Sequence, residues 1–106
     1  MQKFNFMYIY NLTAVIGRNI HNQWLDWIKQ IYIHKVYETN KIKSVRIFKI
    51  MNMENDITYA IHHETESPQD LLHFIKKEIP TLKQLSMENF GDKVLMFGTE
   101  LKEISL

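Results

Sequence analysis

The spacing of apolar residues divides the chain into six segments. Met7 to Ile16 (MYIYNLTAVI) is rich in β-branched and aromatic residues and stops at Gly17, which predicts a strand. From Ile20 the period becomes helical. Ile20, Trp24, Trp27, Ile28 and Ile31 form one stripe, and Leu25, Tyr32 and Val36 widen it well past about 100°, so the helix running to Glu38 should be deeply buried. Asn40 follows as a left-handed cap. Ile42 to Met51 then alternates Val45 and Ile47 against Arg46 and Phe48. Ile57 to Thr65 alternates Tyr59, Ile61 and His63 against Thr58, Ala60 and His62, and the polar Asn52 to Asp56 joins the two as a hairpin.

Ser67, Pro68 and Asp70 announce a second helix: a serine N-cap, a proline whose missing N–H costs nothing at the first position, and an acid in the first turn. Its expected buried stripe is Leu71, Leu72, Ile75, Ile79 and Leu82. Pro80 should kink or restart it before it ends near Asn89. Phe90-Gly91-Asp92 reads as a turn and Lys93 to Ile104 as a last strand.

The order β-α-β-β-α-β predicts an α+β, ferredoxin-like sandwich: a four-stranded antiparallel sheet, order 4-1-3-2, with two helices on one face. The strands carry Ile, Val, Met and aromatic residues on both sides, so the second face needs a cover as well. In 106 residues, a single domain with its core in residues 7–104, the economical cover is a second copy, giving a homodimer with the plan of a dimeric α+β barrel.

Composition narrows the chemistry. The chain has no Cys, which excludes a disulfide framework, thiolate metal sites, iron–sulfur clusters and cysteine nucleophiles, and fits a reducing cytoplasm. No apolar run approaches the roughly 20 residues of a membrane span, and the N-terminal segment does not read as a signal peptide. The net charge of +1 hides a split: residues 1–50 hold eight Lys/Arg and two Asp/Glu (+6), residues 51–106 five and ten (−5). Interleaved in one domain, the two halves give complementary solvated faces. Eleven of the thirteen cations are Lys, a poor set for forked recognition of phosphate or bases.

The segments Tyr10-Asn11-Leu12-Thr13, His21…Trp24-Leu25…Trp27-Ile28, Thr58-Tyr59-Ala60-Ile61 and Phe90-Gly91…Phe97-Gly98-Thr99-Glu100 resemble a family of small uncharacterised bacterial proteins, common in Bacteroidetes, known as a domain of unknown function. The resemblance runs from Met7 to Ile104. It implies a plan similar to the dimeric α+β barrel superfamily, which includes cofactor-free monooxygenases, haem-degrading enzymes and non-enzymatic ligand binders. The chain departs from the family pattern at four places. It has Tyr32-Ile33-His34 for His-Ile-Pro, Asn40 for Gly, Ser86 for His and Gly98 for Arg. Asn40 can replace the cap glycine; the other changes remove polar groups that could serve chemistry in relatives.

By alternation Asn11 and Thr13 face away from the helices, together with Thr58, Ala60 and His62. Asn11, Thr13, Thr58 and His62 are thus the candidate ligand-binding residues, suited to a small polar or aromatic ligand. The bland reading is a closed hydrogen-bond network that fixes strand register. His62, whose unperturbed pKa is near 6.5, is the candidate for proton transfer. The five histidines show no metal-ligand spacing, and the adjacent His62 and His63 point to opposite faces, so no metal and no cofactor is expected. Trp24 and Trp27 read as core before they read as an aromatic wall.

Met7-Tyr8-Ile9-Tyr10-Asn11-Leu12 resembles a motif of RNA-recognition domains. The segment Asp56 to His63, however, offers one aromatic and begins with an acid, so no nucleic-acid partner is expected. The chain reads as a small-molecule-binding barrel protein, with a cofactor-free monooxygenase-like enzyme as its catalytic form and a protein-interaction or structural module as the alternative.

Overall fold

The computed structural model describes residues 6–51 and 55–106. Strand β1 (Tyr8–Ile16) leads through a 3-10 turn (Arg18–Ile20) into helix α1 (residues 21–38). Strands β2 (Ser44–Lys49) and β3 (Ile57–Thr65) follow, then helix α2 (residues 68–90), a second 3-10 turn (Gly91–Lys93) and β4 (Val94–Lys102). Of the expected hairpin connection, residues 52–54 lie outside the described residues. The four strands form one antiparallel sheet in the order β2-β3-β1-β4, which is the expected 4-1-3-2 order read from its other edge.

Local chemistry accounts for the element ends. The Ser67 hydroxyl accepts the Asp70 N–H at 3.1 Å and Pro68 occupies the first turn, so α2 starts where its orphan donors are relieved. Helix α1 ends with Asn40 at φ 58°, a left-handed position that Asn tolerates better than any residue but Gly.

Both helices contain a π turn. In α1 the Ile33 N–H donates to the Ile28 carbonyl, five residues back; in α2 the Ile79 N–H donates to the Phe74 carbonyl. The second has a plain cause. Pro80 has no N–H and its ring would crowd the Lys76 carbonyl in a regular α-turn, so the wider turn Phe74–Glu78 carries the helix past it without a break. The first shifts the inward face. Ile31, expected in the buried stripe, is 43 % exposed, while Tyr32 is fully buried, because a turn of more than four residues carries the inward direction from Ile28 to Tyr32. In α2, Leu72 of the expected stripe points out at 49 % exposure, and Phe74, which was not in that stripe, is fully buried three residues after buried Leu71.

The core lies between the helices and one sheet face. Tyr10, Leu12, Ala14 and Ile16 of β1 and Tyr59, Ile61 and His63 of β3 meet Trp24, Ile28, Tyr32, Val36, Leu71, Phe74 and Leu82. Trp24 packs 5.3 Å from Tyr59, and Trp27 lies edge-on to Phe90 at 5.5 Å, so both tryptophans are core residues. No helix among the described residues is long and apolar enough to cross a membrane.

Candidate functional site

No helix of the described residues covers the other sheet face. Strand alternation sends Ile9, Asn11, Thr13 and Val15 of β1 to it, with Thr58, Ala60, His62 and Glu64 of β3, Ser44, Arg46 and Phe48 of β2, and Leu95, Phe97, Thr99 and Leu101 of β4. Leu95 is 52 % and Phe97 58 % exposed, and Phe48 and Leu101 are exposed as well. The strands therefore place all four sequence-predicted residues on one face. Asn11 stands directly opposite His62 across the β1–β3 pair, and Val15 opposite Thr58.

These residues are only partly satisfied. The Asn11 Nδ2 donates to Thr13 Oγ1 at 3.3 Å. Asn11 Oδ1, Thr58 Oγ1 and His62 Nδ1 are buried and lack a hydrogen-bond partner among the described residues; a further such atom, Trp24 Nε1, lies on the helix side. The His62 ring lies 5.0 Å from that of Phe48. Its pKa is held below the usual histidine value, first by desolvation; the Glu64 carboxylate pulls it up and the Arg46 guanidinium pushes it down. His62 is thus neutral near pH 7.

Sequence reasoning missed the charged group beside it. Arg46 donates through Nε (3.0 Å) and Nη2 (2.7 Å) to Glu64 Oε2, and the Ser44 hydroxyl donates to Glu64 Oε1 at 2.7 Å. Burial would raise the Glu64 pKa, but the hydrogen bonds from Arg46 and Ser44 outweigh it and hold the carboxyl below its usual value. The signal was present in the alternation of Ser44 and Arg46 with Glu64, but reading it requires the β2–β3 register, in which Ser44 faces Glu64. Next to this group a groove of about 400 Å³ runs between Ile9, Arg46, Glu64 and Leu101. A depression of about 420 Å³ between the helices, lined by Lys35, Glu38, Glu78 and Leu82, holds none of the predicted residues.

His63, on the helix side, has a different role. Its Nδ1 lies 2.9 Å from the Tyr10 carbonyl and its Nε2 2.8 Å from the Tyr32 hydroxyl. A carbonyl only accepts, so Nδ1 carries the proton and Tyr32 donates to Nε2. Burial lowers the His63 pKa to about 4, against the hydrogen bond to the Tyr10 carbonyl; His62 next to it lowers it further. Burial also raises the Tyr32 hydroxyl above its ordinary value, with Tyr10 adding to the shift. The first helix supplies a third contact, His21 Nε2 to the Tyr59 hydroxyl at 2.9 Å.

Two sequence features are resolved by the strand faces. Tyr8 and Tyr59, the aromatics of the RNA-like segments, share the helix side with Tyr10 and His63 and are not on the open face. Gly98 lies under Tyr10: a Cβ there would sit 2.0 Å from the Tyr10 hydroxyl and 2.5 Å from its ring. Among the described residues no three His, Asp or Glu side chains converge as a metal ion would require.

The fold is shared with a crystal structure of a dimeric ferredoxin-like protein from an uncultured marine organism. The two superpose with a TM-score of 0.65 at 7 % identity, over 95 % of this chain and 98 % of that one. No curated protein matches the chain. At the level of sequence a family match spans residues 7–104, nearly the whole of the fold described above, and the chain belongs to that family, described as a domain of unknown function (DUF4286).

Proposed function

We propose that two copies pack their open sheet faces together into an α+β barrel, and that the space enclosed between them binds a small molecule. The observation that carries this reading is the make-up of the face. Exposed Phe48, Leu95, Phe97 and Leu101 form an apolar surface of the kind that monomers seldom leave to water, and it surrounds polar atoms of Asn11, Thr58 and His62 that have no partner among the described residues. An apolar wall with a few convergent polar groups is the usual make-up of a ligand site. The similar structure is that of a dimeric protein, which supports the assembly. In this reading the partner sheet covers the face and Asn11, Thr13, Thr58 and His62 point into the lumen.

The catalytic form of the same proposal assigns His62 to proton transfer, as the neutral imidazole of the lumen, in a cofactor-free oxygenase type of reaction. A cytoplasmic location, in keeping with a chain that has no cysteine, belongs to the proposal too. Native mass spectrometry tests it. The expected result is a dimer that retains small aromatic adducts, with retention lost in His62→Ala. A monomer would move the reading to the protein-interaction module, whose partner would be a different protein seated on the same face.

A further inference from the structure

The open face is nearly free of charge. The chain has 13 Lys and Arg and 12 Asp and Glu, yet the strand positions on this face hold just Arg46 and Glu64. Those two are closed on each other, with Ser44 filling the second carboxylate oxygen. Lys102 and Glu103 join Arg46 and Glu64 along the groove at the end of β4, but a charged ligand seated against Asn11 and His62 would meet in Arg46 and Glu64 two charges already paired with each other, and an unpaired ion taken out of water is strongly disfavoured.

The unpartnered atoms carry directional information. One N–H of the Asn11 Nδ2 is given to Thr13, while its amide oxygen, which only accepts, has no partner among the described residues, so what Asn11 Oδ1 lacks is a donor. Beside it Phe48 and His62 present tilted rings with centroids 5.0 Å apart, and Phe97 stands opposite Thr13 on the other side of β1. Such rings favour a flat partner.

We propose that the ligand of this face is an uncharged aromatic molecule carrying a hydrogen-bond donor, its ring held by Phe97, the diagonal neighbour of Asn11 across β1 and β4, and its donor by the Asn11 amide oxygen. This rests on the lumen reading above and adds the ligand's class to it. Carboxylates, phosphates and cations are disfavoured because the two charges on the strand positions of this face, Arg46 and Glu64, are closed on each other; aromatic ethers and N-alkylated heterocycles are disfavoured because they leave the amide oxygen unpaired.

Three probes of similar shape separate these terms: indole, 1-methylindole and indole-3-carboxylate, titrated into the full-length protein and followed by two-dimensional amide NMR. Indole should give saturable shifts at β1 and β3. The methylated probe should bind about ten-fold more weakly, the effect of one lost hydrogen bond, and the carboxylate should not saturate. In Asn11→Ala the preference for indole over 1-methylindole should disappear. Carboxylate binding as tight as that of indole, equal binding of the methylated probe, or no saturation by any of the three would overturn the inference. Light scattering on the same samples keeps the two proposals apart: a dimer that binds none of the probes removes the ligand class alone, and a monomer removes the lumen with it. If Asn11→Ala does not fold, the comparison of the three probes on the wild-type protein decides by itself.

Discussion

The Tyr32 hydroxyl donates to His63 Nε2 at 2.8 Å across the buried layer between α1 and the sheet. The contact joins a helix residue to a strand residue 31 positions away, and it exists because the π turn Ile28–Tyr32 points Tyr32 rather than Ile31 inward. With Nδ1–H donating to the Tyr10 carbonyl, both ring nitrogens of His63 are satisfied.

Tyr32→Phe should therefore strand a buried acceptor at a cost of about 1–3 kcal/mol. For a domain of this size the melting temperature should fall by at least about 4 °C. A thermal melt within about 1 °C of the wild type would show that the contact contributes nothing net.

The same histidine sets an acid limit. Its pKa in the folded protein is about 4, below the ordinary 6.5, so between these values the unfolded chain binds a proton that the folded chain refuses. Its stabilising contribution is complete above about pH 6.5 and is lost as pH falls toward 4. The integrated loss is roughly 3 kcal/mol, counted at about 1.4 kcal/mol per pH unit. Urea unfolding at several pH values should show that decline, and His63→Gln should flatten most of it; His62, shifted in the same direction, contributes the smaller remainder.

Gly98→Ala should destabilise the fold, because its Cβ would enter the space of the Tyr10 ring, and Tyr10 is packed in the core. Overpacking of this kind costs about 1–3 kcal/mol. Tyr10→Leu in the same chain removes the obstruction, so the double variant should lose less stability than the two single changes added together. Simple additivity in denaturation experiments would contradict the contact.

On the open face, Phe97→Asp should leave the monomer fold intact and abolish the dimer. Phe97 is 58 % exposed, so the change costs the monomer little, but in the assembly it would bury an unpaired carboxylate. Light scattering at micromolar concentration should give twice the 12.8 kDa chain mass for the wild type and the chain mass for the variant. A wild type at 12.8 kDa contradicts the assembly.

His62→Ala discriminates between a ligand site and a structural network. Its Nδ1 has no partner among the described residues, so truncation strands no identified group and should cost under about 1 kcal/mol, while ligand retention is lost. A fall of about 8 °C or more in melting temperature, at the same buffer and protein concentration, would assign His62 to the fold instead.

The order of elements, the strand faces and the caps follow from the chain locally. Alternation in β1 and β3 placed Asn11, Thr13, Thr58 and His62 together, and Ser67, Pro68 and Asn40 act within a few residues of themselves, so each was legible without knowing what lies across the fold. What the sequence alone did not disclose depends on distant partners or on a change of helical pitch. A regular period puts Ile31 and Leu72 in the buried stripes with Tyr32 and Leu71; Ile31 and Leu72 are exposed, Phe74 is buried three residues after Leu71, and nothing in the apolar spacing marks the π turns that follow Ile28 and Phe74. The Arg46–Glu64–Ser44 group needs the register of two strands, the room over Gly98 needs the Tyr10 ring, and the tautomer of His63 needs a carbonyl from β1 and a hydroxyl from α1. Hydrophobic periodicity reports which side of an element is dry. Only the tertiary structure brings together groups 18, 31 or 53 residues apart, and with them the polar partners that a periodicity cannot encode.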